Sequence, residues 1–175
     1  MRRDAIIAVS VATVLMLIYI LIRFRDIKFA LSAIIALIHD IAIVIGFYAI
    51  SRIDVGNTFI ACMLTILGYS INATIVIFDR IRENLNSEEM QKATLVEVVN
   101  KSITATLTRS IYTSITTFIM ILALFIVGVD SIKEFAAPIM VGIVAGGFSS
   151  ICISGSLWFV MKKASIKRMM KTLEE

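Results

Sequence analysis

Polar and reactive side chains are scarce in this chain. Of its 175 residues only 17% are charged, two are cysteine and one is histidine, against 59% hydrophobic and a mean hydropathy of +0.94. Soluble domains run near 45–50% apolar and about 25% charged, so a water-soluble globule is excluded. The chain has no HExxH, no GxSxG and no glycine-rich phosphate loop, so no catalytic residue, metal site or cofactor is expected and the chain does not read as an enzyme. An intramembrane enzyme built on His39 and Asp40 would lack a nucleophile. Cys62 and Cys152 sit in separate apolar blocks, without metal-site spacing or the density of a disulfide scaffold, and read as small packing residues. No segment alternates with a strand period.

What the chain does have is apolar sequence in blocks of about 18 to 25 residues, each long enough to cross ~30 Å of hydrocarbon. Five spans are expected, over residues 5–22, 29–50, 58–78, 104–129 and 135–161, giving an all-α polytopic membrane bundle. Pro138 is expected at the start of the last span, where a missing amide donor is least harmful. The first block follows Arg2 and Arg3 as a signal peptide would, but it is long, and Arg23, Phe24 and Arg25 succeed it in place of small cleavage-site residues. It reads as a retained span.

The formal charge of +4 does not point to nucleic acid, because the cations flank the apolar blocks and report topology. One side collects Arg23, Arg25, Lys28, Arg80, Arg82, Lys92, Lys101, Lys162, Lys163, Lys167, Arg168 and Lys171. The other holds Arg2, Arg3, Arg52 and Lys133. The richer side is cytoplasmic, which places the C-terminus inside and, with five spans, the N-terminus outside. A short Met-Arg-Arg terminus is awkward to translocate, so an exported domain and a sixth, upstream span are expected before it. Residues 79–101 form the one sizeable polar stretch and are expected as a cytoplasmic amphipathic helix at the interface. The loops over 51–57 and 128–134 are too short to hold an external domain.

Polar groups within the spans are functional candidates by default. His39 and Asp40 lie near the centre of the second span and read either as an ion relay or as a hydrogen-bonded clamp between helices. Thr65, Tyr69 and Asn72 share one helical face of the third span, bordered by Ser70 and Thr74. In the fourth, Ser102, Thr106, Arg109 or Ser110, Thr113 and Thr117 form a hydroxyl stripe around an arginine. Arg109 either snorkels to the interface or pairs with a carboxylate on a neighbouring helix or partner subunit. Gly142 and Gly146 make a GxxxG in the last span, continued by Ser149 or Ser150, Ser154 and Gly155, and read as helix packing.

The run GYSINATIVIFDRIRENL, from Gly68 to Leu85, resembles the signature of the SecF family, the smaller membrane subunits of SecDF protein-translocation accessory complexes. It contains Gly68, Tyr69, Ser70, Asp79, Arg80, Arg82, Glu83 and Asn84. ALIHDIAI around His39 and Asp40, SITATLTRSIYTSITT from Ser102 to Thr117, and the glycine- and serine-rich last span also resemble that family, so the likeness covers essentially the whole chain. The resemblance implies a resistance-nodulation-division scaffold, with five of the six helices of one half present here. It further implies a subunit that works with SecD to promote preprotein export from SecYEG with the ion gradient, H+ or Na+, while SecA hydrolyses ATP and YajC and YidC associate. A family SecF has an N-terminal helix and periplasmic domain ahead of the segment that begins here.

Many members read N-D-T in the third span where this chain has Asn72, Ala73 and Thr74. Ala73 binds no proton, so the family's carboxylate role does not carry over to it. Arg109, Asp40 and Asn72 do match, and a titrating carboxylate is expected mainly from SecD with Arg109 as its electrostatic partner. Two other readings remain: a lipid or drug exporter half of the same superfamily, and a truncated structural subunit that docks SecD without ion coupling.

Overall fold

The computed structural model describes residues 2–53, 55–88 and 93–174. These form six α-helices in chain order: α1 (Arg2–Phe24), α2 (Ile27–Ser51), α3 (Asn57–Asn86), α4 (Leu95–Val127), α5 (Asp130–Phe148) and α6 (Gly155–Glu174), with a π-helical segment, Ser149–Ser154, joining the last two. Five stretches are long and apolar enough to cross a membrane: Ile7–Phe24, Ile27–Ser51, Thr58–Asn86, Leu95–Val127 and Asp130–Lys171. The chain is a multi-pass all-helical bundle.

Local chemistry sets the helix ends. Asp26 caps α2 by accepting from the Lys28 amide at 3.0 Å, and Arg25 before it takes a left-handed φ of 54° to make the tight turn out of α1. Arg52 ends α2 in the same left-handed region, φ 53°. Thr94 and Glu97 form a capping box at α4: the Glu97 amide donates to Thr94 Oγ1 at 3.4 Å, and the Thr94 amide to Glu97 Oε2 at 2.8 Å.

Three expectations are corrected. Residues 79–101 are not one interfacial helix, because 79–86 complete α3 and 95–101 open α4, with 89–92 outside the described residues. The physical reason is burial: Ile81 and Asn84 face the bundle from α3, and Val98, Val99 and Ser102 face it from α4. Pro138 lies inside α5, eight residues beyond its first residue, because that helix starts at Asp130 and not near Phe135. The loop expected over 128–134 thereby shrinks to two residues. A proline is tolerated there because neighbouring helices can re-satisfy the freed carbonyl. Cys152 is exposed on the π-helical segment, whereas Cys62 is buried.

Two apolar clusters stabilise the bundle. The first gathers Phe24, Phe29, Phe78 and Trp158 from α1, α2, α3 and α6, with Phe29 and Trp158 stacked at 4.8 Å and 14°, and Phe24 edge-on to Phe78 at 5.8 Å. The second joins Val44 and Tyr48 of α2, Cys62, Met63 and Ile66 of α3, and Ile139 and Ile143 of α5. Along α2 the sequence passes from one cluster to the other between Leu37 and Val44, and Asp40 falls in that gap.

Candidate functional site

Asp40 is fully buried, the one acidic residue among the described residues to be so. A carboxylate removed from water must find donors, and three side chains converge on it. Ser70 of α3 donates to Oδ2 at 2.5 Å and Ser149, the first π-helical residue, donates to the same oxygen at 2.8 Å. His39 Nδ1 lies 3.1 Å from Oδ1, its ring about a third exposed and 6.4 Å from that of Phe148. The carboxylate therefore ties α2, α3 and the α5–α6 junction together at the boundary between the apolar clusters.

Close approach of α5 makes this possible. A Cβ on Gly142 would overlap the Ile66 side chain, and one on Gly146 would stand 3.1 Å from Ser70 Cβ. Ser150 is buried and donates to the Gly147 carbonyl of its own helix at 3.1 Å. The small-residue strip thus brings α5 backbone against the turn of α3 that carries Ser70.

A second polar locus lies on another side of α3. Tyr69, Asn72, Ala73 and Val76 face Arg109, Ser110 and Thr113 of α4 across a cavity of about 60 Å³. Arg109 stands 14 residues into a 33-residue helix, so about 21 Å from the start of a helix ~50 Å long. It is exposed on the chain's surface, and no carboxylate lies within ion-pair distance of it among the described residues. Thr113 Oγ1 donates to the Arg109 carbonyl at 2.8 Å, and Tyr69 Oη donates to Ser114 Oγ at 2.7 Å, joining α3 to α4. Asp40 and Arg109 share no contact: the structure brings His39, Asp40 and Ser70 together at one place, and Asn72, Ala73, Arg109 and Thr113 at another. Thr74 is buried and does not line the Arg109 cavity, and Thr65 bonds its own helix at the Ala61 carbonyl.

The charged end of the Gly68–Leu85 run serves a third purpose. Asp79 pairs with Arg23 at 2.8 Å, Arg82 donates to the Arg23 carbonyl at 3.0 Å, and Asn84 donates to Ser102 Oγ at 2.8 Å. Arg80 pairs with Glu83 along α3 at 2.8 Å. These contacts bind one end of α3 to α1 and α4. Gly68 has open space where a Cβ would stand.

The role of Ser149 was not legible as such: the sequence grouped it with the packing strip. The signal that could have found it is the rule that a buried carboxylate requires donors from facing helices, since Ser70 and Ser149 are hydroxyls within membrane-spanning segments.

Comparison with known proteins agrees across the length of the chain. Residues 1–164 match the family model "Protein export membrane protein SecD/SecF, C-terminal". The SecF translocase subunit of Alicyclobacillus acidocaldarius is 44% identical over 167 residues, covering 95% of this chain and 54% of that protein. The SecDF subunit of Bacillus subtilis is 40% identical, covering 96% of this chain and 23% of that one. A crystal structure of SecDF in its super-membrane-facing form superposes with a TM-score of 0.88 at 40% identity, over 98% of this chain and 23% of that one. The crystal structure of the translocon-associated SecDF from Thermus thermophilus gives 0.86 at 42% identity, over 93% and 22%. The chain spans about half the length of the SecF relatives it matches. By family model, sequence identity and superposition alike, this chain belongs to the SecD/SecF family of protein-export membrane proteins.

Proposed function

We propose that this chain is a SecF-type accessory subunit of the Sec translocon, in the cytoplasmic membrane with its C-terminus inside, that works with SecD and uses the transmembrane gradient of H+ or Na+ to promote preprotein export. It hydrolyses nothing itself. SecYEG, SecA, YajC and YidC are the associates this role brings with it. The relatives named as SecF and SecDF support the export pathway, and the observation that carries ion coupling is the outward-facing Arg109 cavity.

A permanently charged guanidinium midway along an apolar helix is costly unless an anionic group faces it. None does among the described residues, and Ala73 supplies none. A carboxylate from SecD, seated against α4, meets that need. While it is ionised it is held by Arg109; once it takes a proton or a cation the attraction falls, and the two halves are free to shift. Asn72 and Thr113 offer neutral hydrogen-bonding groups beside that path. Asp40, held by Ser70 and Ser149, is the carboxylate this chain itself keeps inside the membrane.

The test is preprotein export in cells lacking SecF, supplied with cognate SecD and this chain, and in a parallel strain with the chain carried behind the N-terminal portion of a SecF relative. Rescue in either strain that disappears when the gradient is collapsed supports the proposal. Rescue indifferent to the gradient, or none in either strain with both proteins in the membrane, overturns it.

A further inference from the structure

Between α5 and α6 the backbone leaves α geometry for one widened turn, Ser149–Ser154. Such π turns are rare, and they concentrate at functional sites. Here something outside the helix holds the turn's first residue. Ser149 Oγ reaches across to Asp40 Oδ2 at 2.8 Å, while its alternative acceptor, the Gly146 carbonyl of its own helix, lies at 3.3 Å. The Ser149 amide likewise divides between the carbonyls of Ala145 and Gly146. Both contacts are present, and the one to Asp40 is the shorter. An ionised carboxylate accepts at both oxygens with charge-assisted strength, whereas a protonated one turns one oxygen into a donor and loses that assistance.

We propose that Asp40 is a charge-sensitive latch on the α5–α6 junction. Ionised, it holds Ser149 and keeps 149–154 in the π form. Protonated, it releases Ser149 to its own helix, and the turn closes to α geometry. Removing the extra residue from the turn shifts α6 by one residue of register, about 1.5 Å along and about 100° around its axis. That motion is readable, because α6 carries Trp158 into the aromatic cluster and Lys162 to within 3.7 Å of Asp26.

His39 is the titratable group in contact with Asp40. The turns of α3 and α5 packed around it, residues 66–74 and 139–148, carry no acid or base except Tyr69, whose hydroxyl is engaged with Ser114. The π-helical segment carries only Cys152, which is exposed. On α6 and α1 the charged groups near the bundle are Lys162, Lys163 and Arg23, with Lys162 and Arg23 paired to Asp26 and Asp79. The latch goes beyond the export role and does not need it, since its readout lies in the chain itself.

The experiment places the full chain, with Cys62→Ala, in lipid nanodiscs with a trifluoromethyl tag on Cys152, and follows the fluorine resonance from about pH 4 to pH 9, a range that spans carboxyl and imidazole titration. Trp158 emission of the untagged chain is the second readout. The expected result is two exchanging fluorine signals whose ratio changes with pH, with a parallel change at Trp158. Asp40→Asn should show the low-pH signal throughout, and Ser149→Ala, which leaves the charge in place, should be equally insensitive. His39→Asn should keep the two-state response. A wild-type chain with no response, or a response retained by Asp40→Asn or abolished by His39→Asn alone, would overturn the proposal.

Discussion

Gly142 offers a direct test of how the α3–α5 contact holds the carboxylate site. Gly142→Ala adds a methyl whose carbon would fall on three atoms of the Ile66 side chain, which is itself buried against Met63 and Ile143. Gly46→Ala adds the same methyl in the interior of α2 with nothing within 4 Å. Both changes gain the same helix propensity, about 0.5–1 kcal/mol, so that contribution cancels between them. What remains is the overlap, and inserting one carbon into a packed core costs about 1–3 kcal/mol. The two variants should therefore differ by about that amount, with Gly46→Ala at or above wild type. Gly146→Ala, 3.1 Å from Ser70 Cβ, should fall between them. The assay is denaturant unfolding in lipid–detergent micelles followed by the fluorescence of Trp158, the only tryptophan. Equal stabilities for Gly142→Ala and Gly46→Ala would refute the claim that α5 backbone closes on Ile66.

Three further outcomes are expected. Ser70→Ala removes one of the donors to a buried carboxylate, and the same unfolding assay at neutral pH should register a loss of about 1.5–3 kcal/mol, against about 0.6 kcal/mol for an ordinary interhelical hydrogen bond in a membrane bundle. Asn84→Ala and Ser102→Ala break the same contact, so their double variant should be less destabilised than the sum of the singles, which a double-mutant cycle measures. Asp79→Asn should cost under about 1 kcal/mol, shrinking as salt is added, because its ion pair with Arg23 is substantially exposed.

The five crossings were legible because hydropathy in long blocks needs no knowledge of neighbours. Asp40 stood out for the same reason, as a charge in the middle of such a block. Its partners did not, because Ser70 and Ser149 become donors only when α3 and α5 pack on α2, and that packing is decided by Gly142 and Gly146. The division of 79–101 was hidden for a related reason: Asn84 and Ser102 look like surface residues until the 18-residue separation between them is closed by their hydrogen bond. Nothing in the SSICIS sequence announces a π turn, or that its first hydroxyl reaches a carboxylate on another helix. Arg109 was visible as an intramembrane cation, and the structure adds that it is exposed beside Ala73, with no acid among the described residues in ion-pair reach of it.

In the proposed role, Arg109 couples this subunit to the ion gradient through a partner's carboxylate. The most direct measurement is gradient-dependent preprotein export in the complemented strains with Arg109→Gln, scored beside co-purification with SecD. Export is expected to fall to the level seen with the gradient collapsed while SecD still co-purifies. Wild-type export by that variant, still sensitive to the gradient, would contradict it.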